Sequence, residues 1–183
     1  ATFRTPGRKS SRTSSDTDKE MKKTISIQPY CSPCGDLLLG SYDGSLCLCN
    51  WIVEKHPGRI ARRLQRALTT EYTTGGSDVT REAAHQLDEY FARQRHTFDI
   101  PLLFVGTPFQ KEVWAELLKI PYGHTVSYSE LARRLGLATA VRAVANASGA
   151  NAISIFAPCH RVIGANKQLT GYAGGLSIKQ YLL

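Results

Sequence analysis

The sequence predicts an α/β protein: a small N-terminal domain with an antiparallel sheet and helices, followed by a mainly helical C-terminal domain with a helix-turn-helix. Three observations predict it. Apolar runs at residues 36–40 and 46–53 flank Ser41-Tyr42-Asp43-Gly44-Ser45, and Asp-Gly between two such runs is a hairpin signal. Thr107-Pro108-Phe109-Gln110 and Ser127-Tyr128-Ser129-Glu130 are capping patterns that open helices. Two short helical stretches then lie on either side of a turn containing Gly136, the layout of a helix-turn-helix.

Residues 1–20 are rich in Ser, Thr, Arg and Lys with almost no apolar side chains, and are expected to be a disordered leader or tag. Met21 is the only methionine and the expected natural start. Residues 24–28 alternate weakly, as a strand does. Helices are expected at 57–68 and at 80–94, the second with Leu87, Tyr90 and Phe91 on its apolar face. These elements make an N-terminal α/β domain over residues 21–100. The C-terminal domain, residues 101–183, opens with a helix that carries Phe109, Val113, Trp114, Leu117 and Leu118 on its apolar side and should end near Ile120, before Pro121 and Gly123. A second helix spans 128–135 and a third about 139–148. The third carries one charge, Arg142, among small side chains. Such a helix is either buried in the core or able to approach another surface closely with Arg142 projecting from it.

Composition narrows the function classes. Hydrophobic residues make up 42% of the chain, a globular value. No apolar run has the length of a membrane span, and no secretory signal is read at the N-terminus. Five cysteines, an odd number, suggest a reducing compartment rather than a disulfide framework. A net charge of +8 permits attraction to DNA without demonstrating it.

The chemistry centres on Pro158-Cys159-His160-Arg161-Val162, preceded by the apolar Ile155-Phe156, expected as a strand. A nucleophilic cysteine acts as its thiolate and needs a base or positive field, and His160 and Arg161 are adjacent. Consecutive strand residues point to opposite faces, so direct contact between Cys159 and His160 needs a turn or a bridging water. From these residues alone, a buried inert cysteine beside a solvent-facing histidine is the commoner case.

Pro158-Cys159-His160-Arg161-Val162 resembles the active-site motif of the O6-alkylguanine-DNA alkyltransferases. Gly106-Thr107-Pro108-Phe109-Gln110, Ile120-Pro121-Tyr122-Gly123, Ser127-Tyr128, Leu131-Ala132, Ala140-Val141-Arg142-Ala143-Val144, Gly171-Tyr172-Ala173-Gly174-Gly175 and the stretch from Ser32-Pro33 to Trp51 resemble the same family, in order. The resemblance implies a ribonuclease-H-like N-terminal domain and direct-reversal DNA repair. In that reading a methyl or other alkyl group moves from O6-alkylguanine, or O4-alkylthymine, in a flipped-out base to Cys159, once per molecule and without a cofactor. It implies that Cys159 accepts the alkyl group, that His160 takes its proton through a water, that Asn151 orders the loop, and that Tyr128 donates a proton to the leaving guanine. It places Arg142, Ala143, Ala147, Ser148, Gly149 and Tyr128 on DNA in the minor groove. Tyr172, Ala173, Gly174 and Pro158 shape the substrate pocket. The partner implied is double-stranded DNA containing O6-alkylguanine, bound by a monomer with several copies able to act cooperatively. No membrane is involved. The implied location is the cytoplasm and nucleoid of a bacterium or the nucleus of a eukaryote.

Two departures stand out. The family has a glutamate after the position of Leu183 that hydrogen-bonds the histidine, and the sequence stops before it. Ala173 stands where some members have serine. Cys31, Cys34, Cys47 and Cys49 have the residue types for a zinc site, although Cys47 and Cys49 equally suit one face of a strand. Competing readings are a binding-only relative that senses alkylated DNA, a transcription factor, and a cysteine hydrolase.

Overall fold

The structure, a computed structural model, describes residues 22–183. The expected leader at 1–20 and the expected start at residue 21 lie outside the described residues. Strands β1 (Ile25–Ser32), β2 (Gly35–Tyr42) and β3 (Ser45–Trp51) form an antiparallel meander. The β2–β3 turn has Asp43 at φ 50° and Gly44 at φ 80°. Both central residues are positive, as a type I′ hairpin requires, and this is why Asp-Gly was legible. β4 (Tyr72–Thr74) adds to β1 in parallel, so the four-stranded sheet is mixed, with order β3-β2-β1-β4. Three residues carry too little pattern for β4 to be read from sequence. β1 runs four residues past the expected end at 28, through Pro29. β4 pairs with β1 only over residues 25–27, so at Pro29 the strand is an edge, where proline is tolerated.

Helix α1 (Arg59–Leu68) buries Ile60 and Leu64, and α2 (Asp78–Phe91) buries Ala83, Leu87 and Tyr90. α2 starts two residues earlier than expected. Ser77 caps it, its Oγ accepting from Thr80 N at 3.2 Å while Thr80 Oγ1 accepts from Ser77 N at 2.7 Å. Helix α3 (Pro108–Leu117) has the Thr107–Gln110 capping box that its sequence announced. Helices α4 (Tyr128–Arg134) and α5 (Val141–Gly149) are the helix-turn-helix pair, joined through Gly136 at φ 71°. β5 (Val126–Ser127) and β6 (Val162–Ile163) make a short parallel pair, and α6 (Leu176–Leu182) closes the chain.

There are two cores. The first joins the sheet, α1 and α2 through Leu37, Leu39, Trp51, Leu64 and Leu87. The second joins α3, α4 and α5 through Val113, Trp114, Leu131, Val144 and Val162. Residues 152–156 belong to the first core although they follow α5 in sequence. Cys49 N donates to Ala152 O at 2.9 Å and Ser154 N to Cys49 O at 2.8 Å. The strand expected at Ile155-Phe156 is therefore a series of turns with one bridge, Cys49 to Ile153. Ile155 sits at φ 72°, a left-handed conformation that a β-branched residue adopts only when its surroundings impose it.

Trp114 organises the second core. It is 1% exposed, and its Nε1 donates to Ala147 O on α5 at 2.8 Å. A Cβ on Gly106 would fall 2.5 Å from its ring, so the chain passes as glycine there. Trp114→Phe keeps most of the apolar contact and removes the indole donor from the Ala147 carbonyl, which retains only the Ala150 N–H at 3.1 Å. Stability should fall by about 0.5–1.5 kcal/mol, the net loss of one hydrogen bond. Urea unfolding checks this, and an unchanged midpoint would remove Trp114 from the account of how α5 is held.

Candidate active site

Cys159–Arg161 form a single 3-10 turn. This turn, rather than a strand, sends Cys159 and His160 in different directions. Cys159 is 8% exposed and lines a cavity of about 850 Å³, whereas His160 is fully buried behind it. The cavity lies between α5, the 3-10 turn, residues 170–173, and the loop and helix at 54–63.

Asn151 follows α5 and fixes the floor of the cavity. Its Nδ2 donates to Cys159 Sγ at 3.3 Å and to Ala157 O at 2.8 Å, while its Oδ1 accepts from Ile153 N at 3.0 Å. One side chain thus ties the end of α5 to the sulfur.

Burial pushes the Cys159 thiol above its ordinary range. The Asn151 N–H, the Lys179 cation and the backbone N–H groups of Cys159 and His160 oppose that shift. Burial, with the cations of Arg161 and Lys179, depresses His160 to about 3. The imidazole is therefore neutral at physiological pH, and neither ring nitrogen has a partner among the described residues. Lys179 is a residue that sequence reasoning missed. It is fully buried on α6, and its Nζ donates to Val162 O at 2.6 Å, Thr170 O at 2.9 Å and Gly171 O at 3.4 Å. The nitrogen also sits 5.7 Å from the Tyr128 ring centroid. The available signal was its spacing from Leu176, Leu182 and Leu183, which puts a lysine on the apolar stripe of a helix.

Other expected residues fall into three groups. Tyr128, Arg142, Ser148, Gly149, Tyr172 and Ala173 line the cavity with Cys159. The Tyr128 hydroxyl donates to Thr170 O at 3.3 Å, and burial raises its pKa, so it keeps its proton at neutral pH. The Tyr172 hydroxyl accepts from Trp51 Nε1 at 3.2 Å. Pro158, buried, and Gly174, half-buried, are not among the lining residues, and a Cβ on Gly174 would meet Trp51 at 2.9 Å. On α5, Arg142, Ala143 and Gly149 are exposed, but Ala147 and Ser148 are buried at 4% and 2%. Ala147 faces Trp114 instead of the outer surface, because the helix turns its small residues inward as well as outward.

Comparison with known proteins bears on this arrangement. The family described as 6-O-methylguanine DNA methyltransferase, DNA binding domain, matches residues 108–183. A methylated-DNA–protein-cysteine methyltransferase of Methanosarcina acetivorans is 42% identical over 152 residues, 83% of this chain and 92% of that protein. The chain belongs to this methyltransferase family. Mycobacterium tuberculosis OGT, solved in complex with DNA, is similar in structure with a TM-score of 0.75 and 37% identity, over 86% of this chain and 90% of that one. The constitutive methyltransferase of Bacillus subtilis is 54% identical over 103 residues, 56% of this chain and 62% of that protein.

The methyltransferase segment at 108–183 contains Cys159, Asn151, Tyr128, Arg142 and Lys179, whereas the cavity wall at 54–63 precedes it. Among the described residues, no group of Cys, His, Asp or Glu is arranged to hold a metal ion. Cys47 and Cys49 are fully buried in β3, while Cys31 is exposed on β1. The four cysteines considered as zinc ligands are thus spread between core and surface. Burial raises Cys47 to about 12, as it does for a thiol packed as a small hydrophobe.

Lys179 lowers the Cys159 pKa, so removing the cation must raise it. Lys179→Met should move the pH profile of Cys159 alkylation by iodoacetamide, followed by peptide mapping, to higher pH. Lys179→Arg should move it less. A profile identical to wild type in both variants would take Lys179 out of the thiol's electrostatics.

Proposed function

We propose that the chain repairs alkylated DNA by direct reversal, taking the alkyl group from O6 of an extruded guanine onto Cys159 once per molecule. The observation that carries this reading is Cys159 Sγ, held by Asn151 on the floor of a cavity whose rim is α5 with Arg142 exposed. A cavity of about 850 Å³ has room for a purine with its sugar, and ligand sites have this size. The target carbon lies inside the base stack, so the nucleotide must leave the duplex, and Arg142 fills the gap it leaves.

In the transfer, a C–S bond forms as the C–O6 bond breaks. The proton leaves the thiol and ends on the departing guanine, so the step exchanges no net proton with solvent. His160, neutral and adjacent in sequence, accepts the thiol proton in passing through a water. Tyr128, protonated at neutral pH, donates toward the guanine. The resulting thioether has no carbonyl for water to attack, which makes the reaction single-turnover. The acceptor, cavity and α5 all belong to one chain, so one copy suffices. We infer a division of labour in which residues 101–183 carry the chemistry and residues 21–100 brace it.

Intact-protein mass spectrometry after incubation with a duplex containing one O6-methylguanine tests the reading. One methylene mass should be gained stoichiometrically, and Cys159→Ala should gain none. Lesion-selective binding without added mass would replace repair by sensing. Asn151→Ala removes the N–H that faces the sulfur and the tie to Ala157. Single-turnover transfer should slow about 10- to 100-fold, the loss of one hydrogen bond to a charged group, with DNA binding retained. Quench-flow measurement of the transfer rate checks this.

A further inference from the structure

We propose that Lys55, Arg59, Arg62 and Arg66, on α1 and the loop before it, form a second jaw of the cleft and grip the phosphate backbone of the duplex that α5 engages. The inference rests on the DNA reading above and extends it to a part of the chain that α5 and the cysteine motif do not include.

The argument begins with a deficit. α5 carries a single cation, Arg142. Holding a duplex needs several neutralised phosphates, because the phosphate term dominates DNA affinity. Arg133 and Arg134 on α4 both face Glu130, which halves their combined charge. The sequence supplies what α5 lacks at residues 55–70, where Lys55, Arg59, Arg62, Arg63 and Arg66 occur with no acidic residue.

These cations are free to act. Ile60 and Leu64 anchor α1 in the core, leaving Lys55, Arg59, Arg62 and Arg66 exposed. None of them has a carboxylate within ion-pair distance among the described residues. Arg81 and Arg95, by contrast, are paired with Asp78 and with Glu89 and Asp99. Glu54, the nearest acid in sequence, accepts from Asn50 Nδ2 and Gly58 N, which commits it to shaping the loop.

Lys55 and Arg59 reach the cleft itself, and Arg62 and Arg66 follow Arg59 three and seven residues on along the exposed side of α1. Lys55, His56, Arg59 and Arg63 line the same cavity as Arg142 and Cys159. Arg63 fixes the register between the two rims. Its Nη2 donates to Ala150 O, just past α5, at 2.8 Å, and its guanidinium lies 5.4 Å from the Trp114 ring centroid. α1 is therefore tied to the end of α5. At 1.5 Å per residue its ten residues extend about 15 Å, which spans roughly four phosphates of one strand at 3.4 Å along the duplex axis.

The test is the salt dependence of binding to an undamaged duplex, read by fluorescence anisotropy. Each phosphate contact contributes about 0.9 to the slope of log affinity against log salt. Arg59→Gln with Arg62→Gln should lower the magnitude of the slope by about 1.8 and weaken binding at low salt. Arg81→Gln removes one positive charge from α2 and should leave the slope at the wild-type value. If the double variant melts at a lower temperature than wild type, Lys55→Gln in the loop provides the same test with an expected fall of about 0.9. A slope equal to that of Arg81→Gln would overturn the proposal. So would a loss confined to a second duplex bound per protein. Methyl gain by the wild-type protein is measured on the same preparations. Its absence would overturn the repair reading, whereas normal methyl gain with unaltered slopes would overturn only the second jaw.

Discussion

Much of the site depends on the pairing of residues 152–154 with Cys49 at the centre of β3. Those backbone bonds dock the segment between α5 and the 3-10 turn onto the N-terminal sheet. Asn151 lies immediately before the docked segment and Cys159 shortly after it. With both ends held, Asn151 bridges Ile153, Ala157 and the sulfur, and Ile155 is forced to φ 72°. A left-handed isoleucine costs on the order of 1–3 kcal/mol, which the buried packing of Ile153, Ile155 and Phe156 offsets. The N-terminal sheet thus contributes no nucleophile but sets where the nucleophile points.

The second constraint is electrostatic. A thiol that must ionise sits where burial opposes ionisation, beside an imidazole that burial has made a weak base. The compensation comes from fixed dipoles and from one cation. Asn151 and two backbone N–H groups face the sulfur, and Lys179 stands behind them with no carboxylate of its own among the described residues. A paired lysine would have its field cancelled. Three carbonyls solvate Lys179 without cancelling its net charge, so the positive field reaches Cys159 and Tyr128. Burial first, and the cations of Arg161 and Lys179 after it, keep His160 neutral, with one ring nitrogen unprotonated but weakly basic.

Local chemistry was legible in the sequence and long-range geometry was not. Asp43-Gly44 and the Thr107–Gln110 box specify their own backbone, so the hairpin and α3 stood where expected. The resemblance brought out Cys159, Asn151, Tyr128, Arg142 and Tyr172, and these side chains do meet around one cavity. β4 was too short to show a period. The strand expected before Pro158 is instead a set of turns, because Cys49, a hundred residues away in sequence, dictates its path. Ala147 could not be assigned a side from its neighbours, since α5 has small residues all round. Lys179 escaped notice because a lysine near the end of a chain ordinarily reads as solvated surface, and only the fold closes carbonyls around it.

Arg63 connects these constraints with the charge distribution. A helix that must fit a narrow groove does best with small side chains, and small side chains carry no charge. On the proposal that α5 enters such a groove, its alanines and glycine meet the first demand and leave Arg142 as its single charge. Placing that field on a separate element solves the conflict only if the element is held in register with α5. Arg63 is bonded to the carbonyl beyond α5 and lies over the tryptophan ring beneath it, which joins basic α1 to α5. The proposed grip thereby assigns shape and charge to different helices, coupled through one guanidinium.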